Sequence, residues 1–117
     1  MNLEFWRGRR VGVTGHTGFK GSWLTLWLTE LGADVFGFAL EPDTEPSLFS
    51  QLSLASTLQH TLGDIRYEDI VRQWIRDVEP EIVFHLAAQP LVRFSYVAPK
   101  ETWRTNVLGT INLLDAL

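Results

Sequence analysis

The chain has 117 residues, 45% apolar and 21% charged, with mean hydropathy near zero (+0.01), which fits one globular domain able to bury a core. A formal charge of −4 leaves no electrostatic footprint for nucleic acid, and the lack of cysteine excludes disulfides and thiolate metal sites. No apolar run reaches the roughly 18–20 residues of a membrane helix, so no membrane partner is expected.

Residues 1–10 hold Glu4 and three arginines without an apolar stretch, so no signal peptide is expected and the cytoplasm is the expected compartment. Phe5 and Trp6 are expected to dock on the domain, with Arg7-Gly8-Arg9 as a turn. Arg10 to Thr14 reads as a first strand, β-branched and ended by Gly15. A helix over Ser22 to Leu31 follows. Phe19, Trp23, Trp27 and Leu31 recur every fourth residue, and Leu24 and Leu28 widen that stripe into a face expected to be buried. Trp23, Trp27 and Trp74 accordingly read as packing residues. Gly32 is the expected C-cap, and Asp34 to Ala39 is a second strand.

Strand, helix and strand fill about 30 residues, the size of a βαβ unit. Pro42 and Pro46 make Glu41 to Ser47 a loop, and Ser47 to Ser53 reads as one helical turn. Gln59 to Leu62 is a weak third strand. Tyr67 to Val78 reads as a helix with Ile70, Val71, Trp74, Ile75 and Val78 inward, stopped by Pro80. Ile82 to Leu86 is a fourth strand, apolar enough to be buried on both faces. Ala87 to Val92 is a loop. Trp103 to Leu117 reads as a last helix, with Val107, Leu108, Ile111, Leu114 and Leu117 inward and Pro99 at or before its start. The alternation predicts an α/β fold with a doubly wound, mostly parallel Rossmann-type sheet. A further strand is expected after the last helix, so residues 1–117 read as a partial dinucleotide-binding domain truncated before the fifth strand.

The stretch Gly15-His16-Thr17-Gly18-Phe19-Lys20-Gly21 joins the first strand to the first helix. Glycines there allow a tight turn and close approach of a ligand, and a helix N-terminus offers unpaired N–H groups to phosphate. A P-loop needs Gly-Lys-Ser or Gly-Lys-Thr, and here the order is Lys20-Gly21-Ser22, so the lysine and hydroxyl are out of register. The Gly-x-x-Gly-x-x-Gly spacing also differs from the common Gly-x-Gly-x-x-Gly. His16, inside the turn, either contacts phosphate or is exposed.

Other residues fall where such a sheet meets a ligand. Glu41, past the second strand, either bonds the adenosine ribose or is a solvated loop charge. Asp64, at the end of the third strand, either accepts from an adenine amino group or caps the following helix. His85 opens His85-Leu86-Ala87-Ala88-Gln89 at the end of the fourth strand; among apolar neighbours it reads as a core histidine, and the small residues after it leave room for a cofactor. The three histidines lack metal-ligand spacing, so no metal is expected.

These motifs resemble the extended short-chain dehydrogenase/reductase superfamily, the nucleotide-sugar epimerases and dehydratases. The resemblance is carried by the glycine turn, Gly63-Asp64-Ile65, His85-Leu86-Ala87-Ala88, and Thr105-Asn106-Val107-Leu108-Gly109-Thr110. It is strongest toward a dehydratase branch, through the run Val13 to Leu24 and the segments Ala39-Leu40-Glu41-Pro42 and Pro46-Ser47-Leu48-Phe49. The resemblance implies an NAD cofactor. Gly15, Thr17, Gly18, Phe19 and Lys20 would surround its pyrophosphate, Asp64 and Ile65 its adenine, and Leu86, Ala87 and Ala88 the path to its nicotinamide. Asn106 would secure nearby backbone, and Gln89 and Arg93 would meet the nucleotide-sugar substrate. Many relatives carry an aspartate where this chain has Ala39, with Glu41 as the nearest acid.

The reaction implied is loss of water from a nucleotide sugar by an internal hydride cycle, in a homo-oligomer. Its Tyr-x-x-x-Lys pair and carboxylate lie beyond the fifth strand in the family, so no catalytic residue is expected here, and the substrate domain is expected to be absent too. Tyr96 and Lys100 have that spacing, but Pro99 between them argues against one helical face.

Overall fold

The structure is a computed structural model that describes residues 2–117. Its centre is a four-stranded parallel sheet: β1 (Arg10–Thr14), β2 (Asp34–Ala39), β3 (Gln59–Leu62) and β4 (Ile82–His85), in spatial order β3-β2-β1-β4. Thr14 pairs with both Phe38 and His85, and Ala39 with Leu62, so the carboxyl ends of the strands lie along one edge. The chain winds outward from β1 through β2 to β3, then crosses back to place β4 on the other side of β1. That reversal makes the β1/β4 boundary the topological switch point, where open α/β sheets bind ligands.

Side chains alternate across the sheet and build a core on each face. Val11, Val13 and Val35 pack with Leu28 and Ala33 on one side, with Trp6 and Phe84 partly buried against them. Phe36 and Phe38 pack with Val71, Trp74, Ile75, Val78 and Leu113 on the other. Gly12 fits tightly in this second layer: a Cβ there would lie 3.0 Å from the Trp74 ring, which would have to give by a few tenths of an ångström.

The helices are α1 (Phe19–Glu30), α2 (Leu48–Gln51), α3 (Glu68–Val78), α4 (Val92–Val97), α5 (Pro99–Trp103) and α6 (Gly109–Ala116). A single-turn 3-10 helix covers Leu3–Trp6, and a π-helical turn, Arg104–Leu108, joins α5 to α6. Gly32, at φ +87°, ends α1 in the left-handed conformation that glycine adopts without cost.

In α3 the expected inward set holds for Val71, Trp74, Ile75 and Val78, whereas Ile70 is exposed. α1 departs from expectation. Its buried residues are Gly21, Ser22, Thr25 and Leu28, while Phe19, Trp23 and Trp27 are 71%, 50% and 53% exposed. The reason is close approach: a Cβ at Gly21 would sit 2.1 Å from the Gly15 carbonyl oxygen, so only a small-residue stripe lets α1 lie against its own turn. Only Trp74 of the three expected packing tryptophans is buried.

The last helix also turns a different face inward. Gly109 and Leu113 are buried and Ala116 is partly so, while Leu108, Ile111, Leu114 and Leu117 are exposed. A Cβ at Gly109 would meet Ile65 at 2.6 Å, so the contact is made at the glycine rather than at the leucines. β4 is half-buried rather than enclosed on both faces, because it is an edge strand in this sheet. The segment expected to loop through Val92 instead forms α4 from that residue on.

Candidate functional site

The carboxyl edge gathers four chain crossings: the glycine turn after β1, Leu40-Glu41 after β2, Gly63-Asp64 after β3 and Leu86 to Gln89 after β4. Gly15 lies at φ +78°, and a Cβ there would be 2.7 Å from the Ala87 nitrogen and the Leu86 carbonyl carbon. This glycine thus brings the two crossings at the switch point into backbone contact. Gly18 begins α1 as an N-cap without a side-chain cap, and the added Cβ there would have one neighbour, the Gly15 oxygen at 3.4 Å. The Ser22 N–H bonds the Gly18 carbonyl, while the amides of Phe19, Lys20 and Gly21 have no partner among the described residues. Exposed Lys20 adds a positive charge at this end. Thr17 instead donates its hydroxyl to the Leu40 carbonyl at 2.9 Å, tying the turn to the end of β2 beside exposed Glu41.

His16 neither contacts the ligand edge nor is exposed. It is fully buried beneath the turn, its Nε2 2.5 Å from Nδ1 of His60, with the Phe49 ring edge-on at 5.3 Å. Gly37 makes the space, since a Cβ there would lie 2.4 Å from the imidazole. Burial, and secondly the adjacent His60, lower the His16 pKa from 6.5 to about 4. The Phe38 carbonyl opposes this, but it already accepts from Gly15 at 2.9 Å, and His16 Nδ1 has no hydrogen-bond partner.

Asp64 does not cap α3, whose N-cap is Tyr67. Its carboxylate holds Arg66 through the backbone N–H (2.9 Å) and the guanidinium (2.6 and 3.0 Å). Burial pushes the Asp64 carboxyl up, but the hydrogen bonds and charge of Arg66 outweigh it and hold it below the usual range. Arg66 also pairs with Glu101 on α5. Ile65 is a core residue under Gly109, and its carbonyl accepts from Asn112 at 3.0 Å.

The crossing after β4 is clamped at both ends. Leu86 and Ala87 donate their N–H groups to Thr14 Oγ1, each at 3.1 Å, and Thr14 Oγ1 lies 2.6 Å from His85 Nδ1. Asn106, in the π-helical turn, accepts from the Gln89 N–H (2.7 Å) and donates to the Gln89 carbonyl (3.1 Å). Ala88 is exposed between the clamps. The Gln89 side chain is occupied within the loop, donating to Leu91 O and Thr102 Oγ1 and accepting from Leu91 N. Arg93 is exposed on α4. Tyr96 lies on α4 and Lys100 on α5, separated by Ala98 at φ −131°, ψ 67°, so no single helical face carries both.

Thr14 and Gly37 carry no site expectation from the sequence, His60 enters it only among the three histidines, and Thr110 only as the last residue of the Thr105 to Thr110 motif. Thr14 alone carried a signal, a hydroxyl at the last position of a buried strand. A wide groove of about 380 Å³ lies between β3 and α3, away from this edge. The carboxyl edge is the stronger candidate because free amides, a cation and bare backbone converge there. Among the described residues no group of three or more metal-ligating side chains occurs, and no helix is long and apolar enough to cross a membrane.

The protein family described as GDP-mannose 4,6 dehydratase matches residues 13–117. The chain is 58% identical over its whole length to the CDP-glucose 4,6-dehydratase of Salmonella typhimurium, of which it covers 33%. Among solved structures, it is similar to the UDP-glucose 4-epimerase of Thermotoga maritima with UDP-glucose (TM-score 0.79, 30% identity, 91% of this chain and 33% of that one). It is also similar to the UDP-glucose 4-epimerase of Brucella ovis in complex with NAD (TM-score 0.77, 27% identity, 93% and 32%). The chain thus spans about a third of the length of these relatives.

Proposed function

The chain belongs to the GDP-mannose 4,6 dehydratase family, and on that premise we propose that it is the NAD-binding part of a CDP-glucose 4,6-dehydratase, a lyase working in the cytoplasm. The observation that carries the reading is the α1 N-terminus at the switch point. Three unpartnered amides, Lys20 and the open Gly18 fit a pyrophosphate. Identity of 58% to a CDP-glucose 4,6-dehydratase supports CDP-glucose as the substrate.

In this reading Gly15, Thr17, Gly18, Phe19 and Lys20 hold the pyrophosphate, with Thr17 anchoring the turn to β2. Glu41 reaches the adenosine ribose. The Gly63-Asp64-Ile65 segment supports the adenine, with Asp64 shaping the loop through Arg66. Leu86, Ala87 and Ala88 present bare backbone to the nicotinamide end, held in place by Asn106. Gln89 and Arg93 lie toward the sugar nucleotide, Gln89 by fixing the loop and Arg93 by its free guanidinium. When bound, the dinucleotide supplies a hydride acceptor for sugar C4 and a donor for C6, so that loss of water across C5–C6 yields CDP-4-keto-6-deoxyglucose without net redox change. The groups that would move the protons lie outside this chain, and copies of the whole enzyme associate.

Two measurements test this. Calorimetric titration of the chain with NAD should show binding that Gly18→Val abolishes, and absence of wild-type binding would overturn the cofactor assignment. Incubation of the chain with CDP-glucose and NAD should give no 4-keto product, and turnover would overturn the placement of the catalytic groups. In the whole enzyme, product analysis with CDP-, dTDP-, GDP- and UDP-sugars separates this dehydratase from one for another nucleotide and from an epimerase. Binding of NAD with no turnover of any sugar would instead mark a dinucleotide sensor.

A further inference from the structure

His85 joins three elements through both ring nitrogens. Nδ1 lies 2.6 Å from Thr14 Oγ1 on β1, and Nε2 lies 3.0 Å from Thr110 Oγ1 on α6. The proton positions follow from counting donors. The Thr110 hydroxyl donates to the Asn106 carbonyl at 2.7 Å, so its one hydrogen is spent. Nε2 must therefore be the donor to Thr110. Thr14 Oγ1 already accepts from Ala87 N and from Leu86 N, whose N–H it shares with the Thr14 carbonyl (3.0 Å), so two donors already face its lone pairs. Its hydrogen must therefore point to Nδ1, which is bare.

Only the neutral ring protonated at Nε2 satisfies every group. A proton on Nδ1 would place a third donor against Thr14 Oγ1 and leave the Thr14 hydrogen without an acceptor. The groups facing the ring from β1 and α6 are uncharged, and burial lowers its pKa in the same sense. The ring also joins the two clamps on the segment after β4. Thr14 holds its start at Leu86-Ala87, and Asn106, whose carbonyl takes the Thr110 hydroxyl, holds its end at Gln89.

We propose that His85 is a positioning residue for the cofactor site: donating from Nε2 and accepting at Nδ1, it sets the course of the Leu86 to Gln89 backbone past the nicotinamide end of the dinucleotide. The cofactor half of this statement rests on the function proposed above, while the hydrogen-bond half stands without it.

The test uses the whole 117-residue chain labelled with nitrogen-15. Imidazole nitrogen–proton correlation spectra at neutral pH should show His85 protonated at Nε2 and bare at Nδ1. On acidification, the amides of Leu86, Ala87 and Gln89 should shift with the midpoint of the His85 ring. A ring charged or Nδ1-protonated at neutral pH, or amides that ignore its titration, would overturn the proposal. NAD and ADP-ribose titrations read the other half. His85→Leu should weaken NAD about tenfold, the scale of one lost hydrogen bond, and leave ADP-ribose, which lacks nicotinamide, unchanged. His85→Asn, whose Oδ1 can accept from Thr14, should recover part of the loss. Equal weakening of both ligands, or no weakening of either, would overturn the positioning role. If the wild-type chain binds neither ligand, the cofactor assignment fails and the ring and amide spectra still decide. If His85→Leu does not fold, the wild-type spectra decide alone.

Discussion

Two imidazoles are inserted under the same sheet edge, and they are treated in opposite ways. His85 bonds through both nitrogens and ties β1 and β4 to α6. His16 is more deeply buried, yet bonds only His60 and leaves Nδ1 with nothing. Burial lowers both pKa values, His16 to about 4. The difference shows that burial of a polar ring does not reveal its purpose. His85 is held by a network whose loss strands its partners, whereas His16 is held by shape, in a slot that Gly37 leaves open.

Four measurements press on this contrast. The largest effect is expected from Gly37→Ala, whose Cβ would fall 2.4 Å from the His16 ring. With β-strand backbone on one side and a buried ring on the other, overpacking should cost about 3 kcal/mol in urea unfolding. A near-neutral result would mean that His16 can leave its slot.

Acid comes next. The folded pKa of His16 lies below its unfolded value, so the unfolded chain takes the proton first as pH falls. Stability is then full above pH 6.5 and declines as pH drops toward about 4. A shift of this size corresponds to about 3 kcal/mol, measurable as a falling urea midpoint across that window. His85 shifts in the same direction and adds to the decline.

A smaller loss, about 2 kcal/mol, is expected for His85→Phe, which leaves buried Thr14 and half-buried Thr110 with a missing partner each. The smallest effect is expected for His16→Phe. An apolar ring of similar outline removes the unpartnered Nδ1 along with the His60 bond, so stability near neutral pH should change by less than about 1 kcal/mol. That variant should also flatten much of the acid decline. If His16→Phe costs more than His85→Phe, the assignment of shape to one and network to the other is reversed.

The parallel α/β order, the four strands and the glycine turn could all be read from the sequence, because strand alternation and glycine breaks are local signals. The inward face of α3 could be read because its contacts are with large, flat sheet residues. The faces of α1 and α6 could not. Each meets its neighbour at a glycine, Gly21 against Gly15 and Gly109 against Ile65, and close approach there overrides the apolar stripe. For the candidate site, the sequence places Gly15, Asp64, Leu86 to Ala88 and Asn106 near one sheet edge, but does not tell how they connect. Thr14 to His85 spans 71 positions and His85 to Thr110 spans 25, and no spacing rule relates residues brought together by a crossover.

The same separation bears on the order in which the domain assembles. The tie from Thr17 to Leu40 closes 23 residues, while that from Thr14 to His85 closes 71. Loop-closure entropy makes the second costlier by about 1 kcal/mol. The β1–β2 pair can therefore form early and wait, and the β1–β4 boundary joins late. The crevice at the candidate site belongs to that later event, so pulse-labelled amides should become protected at Val13 and Phe36 before they do at Leu86.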